Sequence, residues 1–372
     1  MPEPLQELFA KGIDGLVAGL PAVLPSPWDQ DKAADQRGAP LAPYVIDAPL
    51  AAAAWVALLL RQPLFLTGDP GVGKTRFADA LAERLRVGRA QRVQVKSDTK
   101  GRDLLYTFDE LARFRDATRV GAKVGPAEPQ VRLRPDVSYV RLRGLGRAIM
   151  RAAGADAKVT LRPGFRREDV MPEPLLGLSK VTLGELFPGE FAEHGGDPCH
   201  SVVLIDEIDK APRDAPNDLL FEIEAMSFEI EEIGVTVSAK PDYKPIVIIT
   251  SNSERNLPDA FMRRCVFYNM SLPTADTLRK IAAGRLGNGL APDSPLLKDA
   301  EIFFTDMSSR ITEKKPGTAE FIGLVAFLQQ AGLKPESSFG KTSALAHDSL
   351  KVLAKTQTDL AAAERHLQRP PD

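Results

Sequence analysis

Thiols, aromatics and long apolar runs are all scarce in this chain of 372 residues. Its two cysteines, Cys199 and Cys265, give no disulfide framework and no paired-thiol metal spacing, which fits a reducing cytoplasm. Aromatic residues make up only 6%. The longest apolar run, residues 48–60, is too short to cross a bilayer and contains Pro49, so no membrane span is expected. The first residues include Glu3 and Glu7 and lack a basic start before an apolar stretch, which argues against a secretion signal. An excess of either charge is missing as well. A net charge of −2 excludes a polycation as a whole. No Asn-Lys dipeptide occurs, so the guanine-reading Asn-Lys-x-Asp signature is absent.

What is present suits a folded protein of about two domains: 44% hydrophobic and 26% charged residues, with 28 Gly and 30 Pro to mark loops and helix stops. Charge is uneven along the chain. Residues 84–167 hold 21 Lys/Arg against 8 Asp/Glu, while 201–240 hold 10 acids against 3 bases. The basic stretch reads either as a nucleic-acid surface or as a solvated arginine face paired with acidic regions of a neighbour. Its arginines are spaced singly and do not alternate with aromatics, which favours the second reading.

Residues 1–44 read as a loosely attached leader. A helix is expected over 48–60, a short core strand over 63–67, a helix over 74–85 and a strand over 93–96. A charged helix over 102–117, a Pro-containing loop to 137 and an insertion over 152–200 follow. Val202-Val-Leu-Ile205 and Ile246-Val-Ile-Ile-Thr250 have the continuous apolar character of buried parallel strands. Residues 217–226 are helical in pattern and 228–237 alternate like a hairpin. Beyond Pro273 only helical patterns remain. Strands alternating with helices, then helices alone, give an α/β domain followed by an all-helical one.

Gly68-Asp69-Pro70-Gly71-Val72-Gly73-Lys74-Thr75 matches G-x-x-x-x-G-K-[ST] and sits between a strand and a helix. Its glycines let successive N–H groups turn toward phosphate oxygens. Lys74 reaches the outer phosphates, and Thr75 offers a hydroxyl to Mg²⁺. Downstream, the buried strand delivers the Asp206 carboxylate to the Mg²⁺ end of the phosphates, and Glu207 beside it is a candidate base for water. Asp209 is read as a local cap or pair. Asn252, just past the third strand, is placed to hold the attacking water or the terminal phosphate. With the guanine signature missing, adenine is the expected base, so ATP and Mg²⁺ are the expected cofactors.

These strands and their end residues resemble the AAA+ ATPases, and within them the MoxR-like, helix-2-insert branch, over roughly residues 45–360. The resemblance rests on Leu219–Met226 with the hairpin after it, on Leu257-Pro258-Asp259-Ala260-Phe261-Met262-Arg263-Arg264, and on Lys314-Lys315-Pro316-Gly317-Thr318-Ala319-Glu320. It implies a P-loop α/β core over 45–271, with an insertion at 152–200 and a hairpin insert at 228–245, then a helical lid over 272–372. The hairpin of such proteins projects toward a pore or partner. The resemblance also implies an arginine reaching a neighbouring subunit's phosphates, either Arg264 or Arg263. Glu320 stands where many MoxR-like proteins have a phosphate-sensing Arg, a task that falls here to Lys315 or Arg310.

The implied activity is Mg-dependent ATP hydrolysis in a homo-oligomeric ring, hexameric in kind, that remodels a partner protein. Von Willebrand factor A-domain proteins are the partners such ATPases often have, in complex maturation or bacterial conflict systems. A nucleic-acid motor and a nucleotide-binding switch without turnover are the rival readings. His194, Cys199 and His200 lack a fourth ligand and are read as loop residues, not a metal site.

Overall fold

The computed structural model describes residues 44, 46–121, 133–192, 195–212, 215–252, 257–287, 289–340 and 343–368. Apart from Tyr44, the expected leader lies outside them, as does His194. The described chain forms two compact units. One comprises residues 48–66 and 81–268. The other comprises 67–80 and 269–368 with Tyr44, Ile46 and Asp47.

The first unit opens with α1 (Ala48–Leu60), whose buried face is Leu50, Ala51, Ala54 and Ala57. Val56, Leu59 and Leu60 stay exposed, so an all-apolar segment buries only one side. β1 (Leu64–Thr67) follows, then α2 (Lys74–Arg84) and β2 (Gln91–Gln94).

The segment expected as one helix over 102–117 divides. A 3-10 turn at Gly101–Leu104 leads to β3 (Tyr106–Phe108), and the helix proper, α3, is Glu110–Gly121. Asp109 causes the break. Its carboxylate accepts the Ala112 N–H and its own N–H donates to Tyr139 O, so the helix can begin only after it. β3 pairs antiparallel with β4 (Val140–Leu142), a hairpin whose strands lie 32 residues apart in sequence (108 to 140) and leave no local pattern to read. α4 (Gly144–Ala153) then packs beside β2.

The central sheet adds β5 (Val202–Asp206), and after α5 (Leu220–Ala225) and the hairpin β6 (Ser227–Ile230) to β7 (Val235–Ser238) it adds β8 (Ile246–Thr250). α6 (Asp259–Met262) precedes the fifth strand, β9 (Val266–Asn269), which the sequence pattern does not announce. The order is β2-β5-β8-β1-β9, with the β2–β5, β5–β8 and β8–β1 pairs parallel. β5 and β8 are central and almost wholly buried, which is why they read as unbroken apolar runs. Parallel pairing also brings the C-terminal ends of β5, β8 and β1 to one edge of the sheet.

Residues 152–200 are part of the core. They form one-turn helices that bury Val170, Met171, Val181, Leu183, Leu186 and Phe191 in the cluster that holds Val203 and Ile205 of β5. The hairpin β6–β7 does not stand free either. Leu161 bridges to Val235, the Arg162 N–H donates to Gly234 O at 2.8 Å, and Tyr106 stacks on Phe228.

Much of the basic stretch is paired inside this unit. Arg102 meets Glu232 at 2.9 Å, Arg113 meets Asp136 at 2.6 Å, Arg147 meets Glu190 at 2.7 Å and Arg162 meets Glu229 at 3.0 Å. The arginines thus meet acids of their own chain, two of them on the acidic hairpin.

In the second unit, residues 67–80 join α7 (Ala275–Leu286), α8 (Pro295–Ser308), α9 (Thr318–Gln330), α10 (Ala344–Leu353) and α11 (Gln357–Leu367). Leu296, Phe303, Phe304, Phe321, Leu324 and Leu350 form its core, with the Phe304 and Phe321 rings edge-on at 5.3 Å. Among the described residues no helix is long and apolar enough to cross a membrane.

Candidate nucleotide site

The phosphate loop leaves the sheet at the end of β1. Gly68, Gly71 and Gly73 have φ of +129°, +82° and +105°, the left-handed region that side chains rarely enter. Gly68 has a second constraint: a Cβ there would stand 2.1 Å from Met270 O. The Met270 N–H donates to Thr67 O at 2.8 Å, and the Thr67 hydroxyl donates to Asn269 Oδ1 at 2.9 Å. The loop's first turn is thus anchored to the end of β9.

Lys74 opens α2 and is buried, its ammonium donating to Gly68 O at 2.6 Å and Asp69 O at 3.0 Å. It sits inside the curl of the loop at the positive end of a helix, where anions are favoured. Thr75 follows it in the first turn of α2.

Asp206, Glu207 and Asn252 belong to the first unit. The Thr250 hydroxyl, fully buried at the end of β8, donates to Asp206 Oδ1 at 2.5 Å and accepts the Glu207 N–H at 3.0 Å. Glu207 has left-handed backbone angles (φ 61°, ψ 51°). Its carboxylate accepts from Asn252 Nδ2 at 3.1 Å and from Lys210 Nζ at 2.5 Å. The structure therefore brings Asp206, Glu207 and Asn252 together. It adds two residues the sequence reasoning did not weigh: Thr250, a Thr closing an apolar strand, and Lys210, three residues after Glu207. Asp209 is 3% exposed and accepts the N–H of Asn252, 43 residues away, at 3.4 Å.

Arg264 is half-exposed, paired with Glu224 and bonded to Ala260 O at 3.2 Å, while Arg263 is exposed. In the second unit, Lys315 and Arg310 are exposed. The Glu320 carboxylate accepts the Gly317 N–H at 2.9 Å and so caps its own helix. Cys265 offers no nucleophile, since burial pushes its thiol up to about 12. No group of His, Cys, Asp and Glu among the described residues is disposed to hold a metal by itself.

Residues 63–123 match the family described as AAA domain, dynein-related subfamily. Over this segment the chain is similar to AAA domains. No curated protein matches it. The match spans β1, the phosphate loop, α2, β2, the hairpin strand β3 and α3. The fold is an α/β P-loop core, followed in the chain by further helices.

The loop fits a nucleoside triphosphate: Gly68, Gly71 and Gly73 hold the left-handed angles that curl its backbone, and the buried Lys74 ammonium lies within the curl. The hydroxyl of Thr75 and the carboxylate of Asp206 are hard oxygen donors of the kind Mg²⁺ takes.

Proposed function

We propose that the protein is a Mg-dependent ATPase of MoxR type that works as a homo-oligomeric ring and remodels a partner protein. The observation that carries this reading is Glu207, whose carboxylate is held by Asn252 one residue beyond Asp206 at the end of a buried strand. A switch that only binds nucleotide has no need of that arrangement. Gly68 to Thr75 bind the phosphates through backbone N–H groups and Lys74. Thr75 and Asp206 hold Mg²⁺, which when bound screens charge on the phosphates. Glu207 takes the proton of the attacking water and Asn252 orients the carboxylate. Arg264, or Arg263 beside it, completes the site of an adjacent subunit. A hexameric ring, a von Willebrand factor A-domain partner and a role in complex maturation or bacterial conflict belong to this proposal. The ion pairs within the basic stretch favour it over a nucleic-acid motor.

Paired variants test it. Lys74→Ala is expected to lose nucleotide affinity and rate together. Glu207→Gln keeps shape and hydrogen bonding but removes the base, so ATP affinity stays and single-turnover hydrolysis falls about 10²–10⁴-fold. Hydrolysis by Glu207→Gln at the parent rate removes Glu207 from the role of base.

A further inference from the structure

The first turn of α9 lies directly against the phosphate loop, within the second unit. A Cβ on Gly317 would stand 2.9 Å from Pro70 O, and one on Gly71 would stand 3.7 Å from Gly317 Cα and 4.0 Å from the Thr318 N atom. Glycine at 317 permits so close an approach of the two backbones, whereas a Cβ on Gly71 would make only ordinary contact there. Gly317, the N-cap, has no side chain to take the next N–H groups, and the Glu320 carboxylate takes the N–H of Gly317 itself. Among the described residues, no hydrogen bond reaches the N–H groups of Thr318, Ala319 or Glu320.

Thr318 supplies an independent observation. It is 8% exposed, and its hydroxyl has no hydrogen-bond partner among the described residues. A buried, unsatisfied hydroxyl destabilises a fold, and valine has the same shape without that penalty. Such a group calls for a reason, and a ligand arriving at the loop provides one.

We propose that Thr318 is the phosphate-reading residue of the C-terminal helices, its hydroxyl and the free N–H groups of α9 donating to the outer phosphate of a nucleotide held by the loop. This deepens the ATPase reading and rests on it. It moves the sensing task from exposed Lys315 and Arg310 to a neutral donor set. The Glu320 carboxylate, drawn onto the Gly317 N–H, opposes capture of an anion from solution. The contact therefore reads a phosphate that Lys74 and the loop already hold. Thr318 makes the contact, and α9 carries its consequence to the helices behind it.

The test measures ATP and ADP affinity, with thermal unfolding, for the parent, Thr318→Val, Thr318→Ser, Lys315→Ala and Lys74→Ala. The expected result is a loss of ATP affinity of about 10- to 100-fold in Thr318→Val, with ADP affinity less affected. Thr318→Ser is expected to retain ATP affinity and Lys315→Ala to match the parent. Thr318→Val is also expected to melt no lower than the parent, which separates lost contact from lost fold. ATP affinity in Thr318→Val equal to the parent's, or a loss reproduced by Lys315→Ala alone, overturns the assignment and leaves the ATPase reading standing. A parent that binds neither nucleotide overturns both.

Discussion

Thr250 is the residue on which the placing of Asp206 and Glu207 turns. One hydroxyl accepts the N–H of Glu207, whose backbone is held in the left-handed region, and donates to Asp206. Thr250→Val keeps the shape but leaves a backbone donor and a carboxylate without their partner. It is expected to cost roughly 1–3 kcal/mol in urea unfolding, with Thr250→Ser close to the parent; equal stability of the Val variant would show that the hydroxyl holds nothing in place. Asp359 makes a second prediction. It accepts the N–H groups of Thr312, Glu313 and Lys314 at 2.9, 3.1 and 3.0 Å, just ahead of Gly317. Burial raises its pKa, but these bonds and the Thr356 hydroxyl outweigh burial, and the carboxyl lies below its ordinary value. A folded-state pKa below the unfolded one means stability that is present above the ordinary carboxylate pKa and lost as pH falls through the lower folded value. Asp359→Asn is therefore expected to lower the melting temperature at pH 7, the gap from the parent narrowing toward pH 3. A constant gap across that range would put the effect down to shape, not charge. The phosphate loop, Asp206, Glu207 and Asn252 were legible in the sequence because their spacing is set by short stretches of chain. Thr250, Lys210 and Thr318 were not, since a hydroxyl or an amine shows its use only through the partner that folding brings or withholds.

Elements were legible where burial imposed a pattern on one continuous segment. β5 and β8 have apolar atoms on both faces and no alternative reading. The stretch from Gly101 to Gly121 misled because its charged composition suits a helix, while β3 is fixed by pairing with distant β4. Residues 152–200 look like decoration in sequence because their apolar residues are spread over one-turn helices with no sustained period. α4 shows how closely these pieces seat. A Cβ on Gly146 would stand 2.0 Å from Leu105 O, and one on Gly144 would stand 2.6 Å from Val93 Cγ2. Alanine has the better helix propensity by about 1 kcal/mol, yet Gly146→Ala is expected to be net destabilising, since backbone must move to admit the methyl group. Overpacking of this kind typically costs about 1–3 kcal/mol. Chemical denaturation reads the sign: a gain in stability would mean that propensity outweighs the collision and that α4 seats loosely.

For the whole molecule the central question is assembly. Arg264 is engaged by Glu224 of its own chain, and both side chains are half-exposed, so the pair is held weakly and can be exchanged for a phosphate. Arg264→Ala is expected to bind ATP as the parent does and to lose about 10³-fold or more in turnover. The parent's specific activity is expected to rise with protein concentration, and activity independent of concentration would set the ring aside. A different consequence follows from how the chain is shared between its two units. The phosphate loop packs with helices that lie some 200 residues or more downstream, and the chain passes from one unit to the other near residues 47, 66, 80 and 268. At about 5–20 residues per second, Thr67 leaves the ribosome roughly 15–60 s before Asp359 does. For roughly the first 10–40 s of that interval the glycine loop has no Met270 to anchor it, and α9 follows later still. The nucleotide-binding motif becomes a binding site only after about 250 further residues have been made.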